Sequence, residues 1–232
     1  MALKDELEQY AKNTFAEMWV RRDGRRVPET EDLPLGNTGI DLEAVVLYAD
    51  LAESTQLVKT LSDTFAAEIY KTYLYSAARI ITAHGGVITA YDGDRVMAVF
   101  IGDSKNSSAA KAALKINGAV RTILRPAIKA QYPNRGYVLN QKVGIDTSKV
   151  MVARTGVRGN NDLVWVGTAA NNAAKLAALG TSYSSYISED VFGRLNEESK
   201  YSGEAKTLMW EDLGYDGKLG VRVYGSRWWW NL

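Results

Sequence analysis

The 232-residue sequence contains no cysteine. Disulfides, thiolate zinc sites and cysteine nucleophiles are therefore excluded. A single histidine, His84, removes His-rich metal centres and most histidine-based acid–base schemes. Charge of one sign is not in excess either: 28 Lys plus Arg stand against 27 Asp plus Glu, a formal net charge of +1. A nucleic-acid polymer as partner would call for a positive excess, so none is expected. No run approaches the roughly 20 apolar residues that a membrane-spanning helix needs. The opening Met1-Ala2-Leu3-Lys4-Asp5-Glu6 is acidic early and has no apolar core, unlike a secretory signal, so the expected location is the cytoplasm. With 46% hydrophobic and 24% charged residues, the chain has the balance of a folded protein and is too apolar to be disordered. Chemistry must then rest on Asp, Asn, Lys or Arg, or on a hard metal ion held by oxygen.

Apolar residues at Leu3, Leu7, Tyr10, Phe15, Met18 and Trp19 predict a helix over 2–20 with one apolar stripe. A polar stretch from Arg21 to about Asn37, with Pro28 and Pro34, reads as a linker or a wrapping arm. Residues 43–49 form a short, partly β-branched apolar run, a buried strand. One long helix is expected from Ser54 to Ala83, with Gly85-Gly86 ending it. Strands at 87–91 and 96–101 flank Asp92-Gly93-Asp94-Arg95, a hairpin with a tight turn. A helix over 104–130 is disturbed at Pro126, and 141–146 with 149–154 reads as a second hairpin. A strand at 163–166, an alanine-rich helix at 168–179 and late strands at 184–187, 207–213 and 220–224 complete the pattern. The expected division is an arm (1–40), a main domain (41–225) and a Trp-rich tail (226–232). Trp228-Trp229-Trp230 is expected to serve as a packing plug or dimer contact rather than a membrane anchor. The order strand–helix–strand–strand–helix–strand is the split β-α-β-β-α-β arrangement. It predicts an α+β, ferredoxin-like core with helices on a mainly antiparallel sheet.

Two acidic turns stand out. Asp50 follows the first buried strand, and Asp94 sits in the first hairpin turn. In the split fold these segments are neighbours, and two close carboxylates repel unless a cation lies between them. That cation would be Mg²⁺ or Mn²⁺, as in phosphoryl and nucleotidyl transfer. Leu51-Ala52-Glu53-Ser54-Thr55 leads into a helix whose free N–H groups can hold phosphates. Equally, Asp50 and Ser54 can cap the helix and Asp92-Gly93 can form an ordinary turn; spacing alone leaves both open.

The surrounding residues resemble the catalytic domain of class III nucleotidyl cyclases over about residues 41–225. Four blocks carry the resemblance. They are Tyr48-Ala49-Asp50-Leu51, the run from His84-Gly85-Gly86 through Asp92-Gly93-Asp94 to Met97-Ala98-Val99-Phe100, Val143-Gly144-Ile145-Asp146-Thr147, and Gly167 through Asn171 to Lys175. The resemblance implies that Asp50 and Asp94 bind two divalent metals, Mg²⁺ or Mn²⁺, with the Leu51 carbonyl assisting. Asn171 would orient the ribose 3′-hydroxyl, and Lys175 would stabilise charge on the α-phosphate. Ser54, Thr55 and a late lysine, Lys218, would touch the triphosphate. Family members act as head-to-tail dimers with shared sites, which implies a homodimer with two sites.

Departures from the family pattern narrow the substrate. Lys175 stands where Arg is usual and offers a point charge rather than a planar fork. The base-reading positions hold Ala90 and Val164, which match neither adenylate nor guanylate cyclases. Losing those hydrogen-bonding groups loses purine discrimination. The first metal motif begins with Tyr48 instead of Phe, giving a phenol that can donate and accept. This pattern resembles the pyrimidine cyclases of bacterial anti-phage (Pycsar) signalling. It implies conversion of UTP to cyclic UMP and pyrophosphate, with a separate effector that senses the product. Cytidylate cyclase, an atypical adenylate cyclase and an inactive nucleotide-binding module are the alternatives. Asp92 and Arg95 are read as ordinary turn residues.

Overall fold

The computed structural model describes residues 2–180 and 182–232. In chain order the elements are α1 (Leu3–Ala16), β1 (Val20–Asp23), β2 (Thr38–Leu51), α2 (Ser54–Thr60), α3 (Asp63–Ala83), β3 (Val87–Asp92), β4 (Arg95–Phe100), α4 (Lys105–Ala119) and α5 (Arg125–Gln131). They continue with β5 (Gln141–Val157), β6 (Asn160–Val166), α6 (Thr168–Ala177), β7 (Ser185–Ser188), α7 (Glu189–Gly193), α8 (Glu197–Lys200), β8 (Tyr201–Ser202), β9 (Thr207–Leu208), β10 (Glu211–Asp216) and β11 (Val221–Ser226).

Among the described residues, nine strands make one sheet with a backbone order of β10-β11-β7-β5-β2-β4-β3; β1 joins β2 and β6 joins β5. The pairings are antiparallel except β1 with β2 and β5 with β7. This is the expected α+β architecture of helices on a mainly antiparallel sheet. An interior strand, β2, is buried on both faces, which is why its sequence is a nearly unbroken apolar run. Val45, Leu47, Ala49 and Leu51 face the core built with α3 and α4. Ala44 and Val46, one residue out of phase, face a second core that includes α6 residues Ala169, Ala170 and Ala173. Tyr48 and Asp50 follow in that second phase.

The helix α6 can lie close to β5 only because Gly144 has no side chain. A Cβ there would stand 2.1 Å from the Ala173 carbonyl oxygen and 2.3 Å from the Ala177 nitrogen. On the opposite face, Phe65 is buried against the edges of Tyr132 and Tyr137, with ring centroids 4.9 and 5.5 Å away. Such pairs add about 0.5–1.5 kcal/mol beyond simple burial.

Several expected elements differ in extent. The first helix stops at Ala16, and Val20–Asp23 pairs with β2 as a strand; Asn37 Nδ2 fixes the break by donating to Thr14 and Glu17 carbonyls at 2.7 and 2.8 Å. The stretch expected as one helix over 54–83 is two, because the Ser62 hydroxyl caps a new start by accepting from Phe65 N–H. The helix around Pro126 continues through a π turn at Val120–Leu124, whose altered hydrogen-bond pairing accommodates the proline's missing N–H just after it. The expected second hairpin at 141–154 is one long strand, β5. Thr147 and Ser148 do not turn but pair with Val45 and Ala44. The late run at 207–213 is interrupted, giving β9 and β10. The Trp-rich tail lies along α4: Trp230 N–H donates to the Leu114 carbonyl at 3.1 Å, and Asn117 Nδ2 donates to the Trp228 carbonyl at 2.8 Å. A Cβ on Gly118 would sit 1.9 Å from the Trp230 carbonyl oxygen. No helix among the described residues is long and apolar enough to cross a membrane.

Candidate active site

Strand alternation turns Asp50 away from the α3–α4 core and toward the open end of the sheet. In register its neighbours are Arg95 on β4 and Lys142 on β5, so the carboxylate sits between two cationic strand positions. Asp94 occupies the adjacent β3–β4 turn, and its carbonyl accepts from the Leu51 N–H at 3.3 Å. The fully buried Tyr73 donates its hydroxyl to the Asp50 carbonyl at 3.2 Å, fixing the strand end from beneath. These bonds hold the two acidic segments together.

The electrostatics record the crowding. Asp50 is pushed up to about 6, first by burial and then by the negative charge of Asp94; Arg95, the Leu51 backbone N–H and Lys142 act against the rise. Tyr73 is pushed well above its usual range, first by burial and then by the same two carboxylates. A pair of carboxylates that raises one member's pKa is a pair that gains from a cation. Among the described residues no group of three or more His, Asp or Glu side chains is gathered at one point. Two carboxylates with free coordination positions suit Mg²⁺ or Mn²⁺, which retain water or phosphate ligands, better than an all-protein cage.

A cleft of about 430 Å³ opens over this pair, lined by Asp50, Leu51, Ser54, Thr55, Asp94, Arg95 and Lys142, with Ala177 and Ala178 from the end of α6. The cleft therefore gathers Asp50, Leu51, Asp94, Ser54 and Thr55 of the residues proposed from sequence for metal and phosphate, but not Lys175 or Lys218. Lys218 lies exposed in the β10–β11 turn, where its own N–H donates to Asp216 Oδ1 at 2.8 Å. Tyr48 and Ala90 converge on Met97, the strand partner of both. The Tyr48 hydroxyl lies 3.1 Å from the Met97 sulfur, and the Arg95 guanidinium stands 5.7 Å from the Tyr48 ring centroid. Burial raises the phenol above its usual range. Val164 lies apart from this pair, on the exposed face of β6.

Asn171 and Lys175 sit one turn apart on the exposed face of α6. They do not line the cleft of their own chain. The neighbouring Asn172 is the amide turned inward, donating to Asp146 Oδ2 at 2.9 Å. The two cationic residues of the cleft carry no role in the sequence reading. Arg95 was read as an ordinary turn residue, and Lys142 was not singled out. The signal for both is the strand register with Asp50, which no linear spacing reveals.

The fold is shared with solved nucleotidyl cyclase domains. Among solved structures, the chain superposes on a bacterial light-regulated adenylyl cyclase with a TM-score of 0.70 at 24% identity, covering 81% of this chain and 51%, about half, of that longer one. It superposes on the guanylyl cyclase Cya2 with a TM-score of 0.68 at 17% identity, covering 83% and 95%. No protein-family model matches the chain. Curated relatives are more specific. A uridylate cyclase of Xanthomonas perforans is 48% identical over 233 residues, 100% of both chains. One of Burkholderia cepacia is 48% identical over 234 residues with the same coverage, and one of Rhodovulum sp. is 34% identical over 99% of this chain and 98% of its own. The chain belongs to the uridylate cyclase family.

Proposed function

We propose that this protein converts UTP to 3′,5′-cyclic UMP and pyrophosphate. The observation that carries this reading is end-to-end similarity to uridylate cyclases combined with a cleft built on two facing carboxylates.

Asp50 and Asp94, with the Leu51 carbonyl, are the groups that would hold two Mg²⁺ or Mn²⁺ ions. When bound, such ions offset phosphate charge and ease ionisation of a ribose hydroxyl. The chain's own residues do the positioning. Lys142 and Arg95, the latter paired with Asp92 at 2.5 Å, line the cleft as cations for phosphate oxygens, and Ser54 and Thr55 at the start of α2 add polar groups. The ribose 3′-hydroxyl gives its proton to solvent as its oxygen attacks the α-phosphorus of the same nucleotide. The new P–O bond closes the ring as the bond to the β-phosphate bridging oxygen breaks, and pyrophosphate leaves with that electron pair. Asn171 orients the ribose and Lys175 stabilises charge on the α-phosphate. Because both point away from their own cleft, they serve the cleft of a second copy, which makes the working unit a homodimer with two shared sites. Tyr48, beside the small Ala90, fills space that a purine would need and offers a hydroxyl to the pyrimidine edge. The product then serves as a second messenger, read by a separate effector in anti-phage defence.

The test is to incubate the purified chain with each of the four nucleoside triphosphates and Mn²⁺, and to identify products by mass. Cyclic UMP from UTP is expected as the main product. Cyclic AMP as the main product, or no cyclic product from any substrate, would overturn the reading.

A further inference from the structure

A second cleft of about 410 Å³ adjoins the first and is lined by Arg121, Arg125, Lys142 and Arg227, with Glu53 as its acid. The two clefts share Ala52, Glu53 and Lys142. Arg227 is already engaged, lying 3.6 Å from Glu211 and donating to the Ser182 carbonyl at 2.7 Å. Arg121 and Arg125 differ. Among the described residues no carboxylate lies within ion-pair distance of either, nor of Lys142.

The two arginines stand one helical turn apart where α4 passes into α5, so their charges repel. Arg125 is held in place by donating to the Leu139 carbonyl at 2.8 Å and to Asn140 Oδ1 at 2.7 Å. Its pKa is lowered, first by burial and then by the charge of Arg121. Arg121 packs over the Trp229 ring at 5.7 Å, which aims it without neutralising it. A fixed, part-buried guanidinium and an exposed one aimed beside it repel each other and gain from an anion with several oxygens.

We propose that this second cleft is a binding site for inorganic pyrophosphate, which it receives from the first cleft past Lys142. This rests on the cyclase reading, in which pyrophosphate is the product. The lysine at the boundary belongs to both cavities, so a departing polyanion keeps one cationic contact while it reaches the two arginines. Held there, pyrophosphate is clear of the metal carboxylates but still engages Lys142, so it inhibits the next turnover until it leaves the chain.

The experiment is titration calorimetry of the whole chain with sodium pyrophosphate in EDTA, where Asp50 and Asp94 repel anions from the first cleft. Wild type is expected to bind one pyrophosphate per chain, and Arg121→Gln, an exposed position that is safe for folding, is expected to bind about tenfold more weakly. Arg125→Gln, checked for folding by circular dichroism, should weaken it at least as much. Failure of wild type to bind without metal, or equal binding by Arg121→Gln, would overturn the site. Orthophosphate separates the sources: binding as tight as that of pyrophosphate would overturn the product assignment in favour of a general anion site. In turnover, Arg121→Gln should raise the pyrophosphate inhibition constant about tenfold with the nucleotide KM unchanged; an unchanged constant would overturn the exit role. Since the calorimetry requires no turnover, a chain that makes no cyclic product still reports on the site, and the two readings fail separately.

Discussion

Asp50 has two opposing jobs in the folded chain: it must stay on a buried strand end, and it must share space with a second carboxylate. Its pKa, about 6 in the fold, lies above its ordinary value of 3.8. The folded state therefore binds this proton more tightly than the unfolded state. That contribution to stability is fully present below about pH 4 and is lost as pH rises through about 6. Metal-free Asp50→Asn should consequently melt higher than metal-free wild type at pH 7, and the gap should close toward pH 4. Added Mn²⁺ should raise the melting temperature of wild type and leave that of Asp50→Asn nearly unmoved, because only a ligand of the native state stabilises it. Differential scanning fluorimetry across pH, with and without Mn²⁺, reads both effects. Tyr48 makes a separate prediction. Tyr48→Phe removes a hydroxyl that faces the Met97 sulfur and, in the proposed function, the base. The ratio of UTP to ATP turnover should fall by about tenfold or more. An unchanged substrate profile would make the phenol a packing group alone.

Elements explain which of these features could be read from the sequence and which could not. The strand β2 was legible because burial on both faces leaves a nearly unbroken apolar run. The β3–β4 hairpin was legible from its Asp-Gly turn, and with it the meeting of Asp50 and Asp94. The length of β5 was not, because Thr147-Ser148 has the composition of a turn and becomes a strand only through its long-range pairing with Ala44 and Val45. Lys142 was missed for the same reason: its relation to Asp50 is one of register across the sheet, and the two are far apart in sequence. The direction of α6 was equally hidden, yet it depends on one small residue. Gly144→Ala should force α6 off β5, destabilising the protein by at least about 2 kcal/mol. A lowered urea midpoint at unchanged m-value is the expected signature, together with a fall in turnover as Asn171 and Lys175 move with the helix.

The whole molecule is where the cleft and the α6 face must be reconciled, since one chain does not bring them together. Two variants, each expected to be inactive alone, offer the test. Asp50→Ala supplies an intact α6 face, and Asn171→Ala supplies an intact carboxylate pair. Mixed in equal amounts and allowed to exchange, half of the dimers are hybrids with one complete site, so activity should recover to about a quarter of wild type. Recovery absent under proven exchange would place all the machinery within one chain. The order of synthesis follows from the sheet as well. The strand that carries Asp50 is bonded along one side to β4 and along the other to β5, whose pairing runs as far as Ile40 with Val152. As the chain leaves the ribosome, one edge of β2 stays open until β5 has emerged, long after β2 itself. Such long-range pairing makes folding slow and leaves a sticky apolar edge exposed in the meantime. The strand end that carries Asp50 is therefore not framed on both sides until β5 has been made, so a chain that stops before β5 has no complete carboxylate cleft.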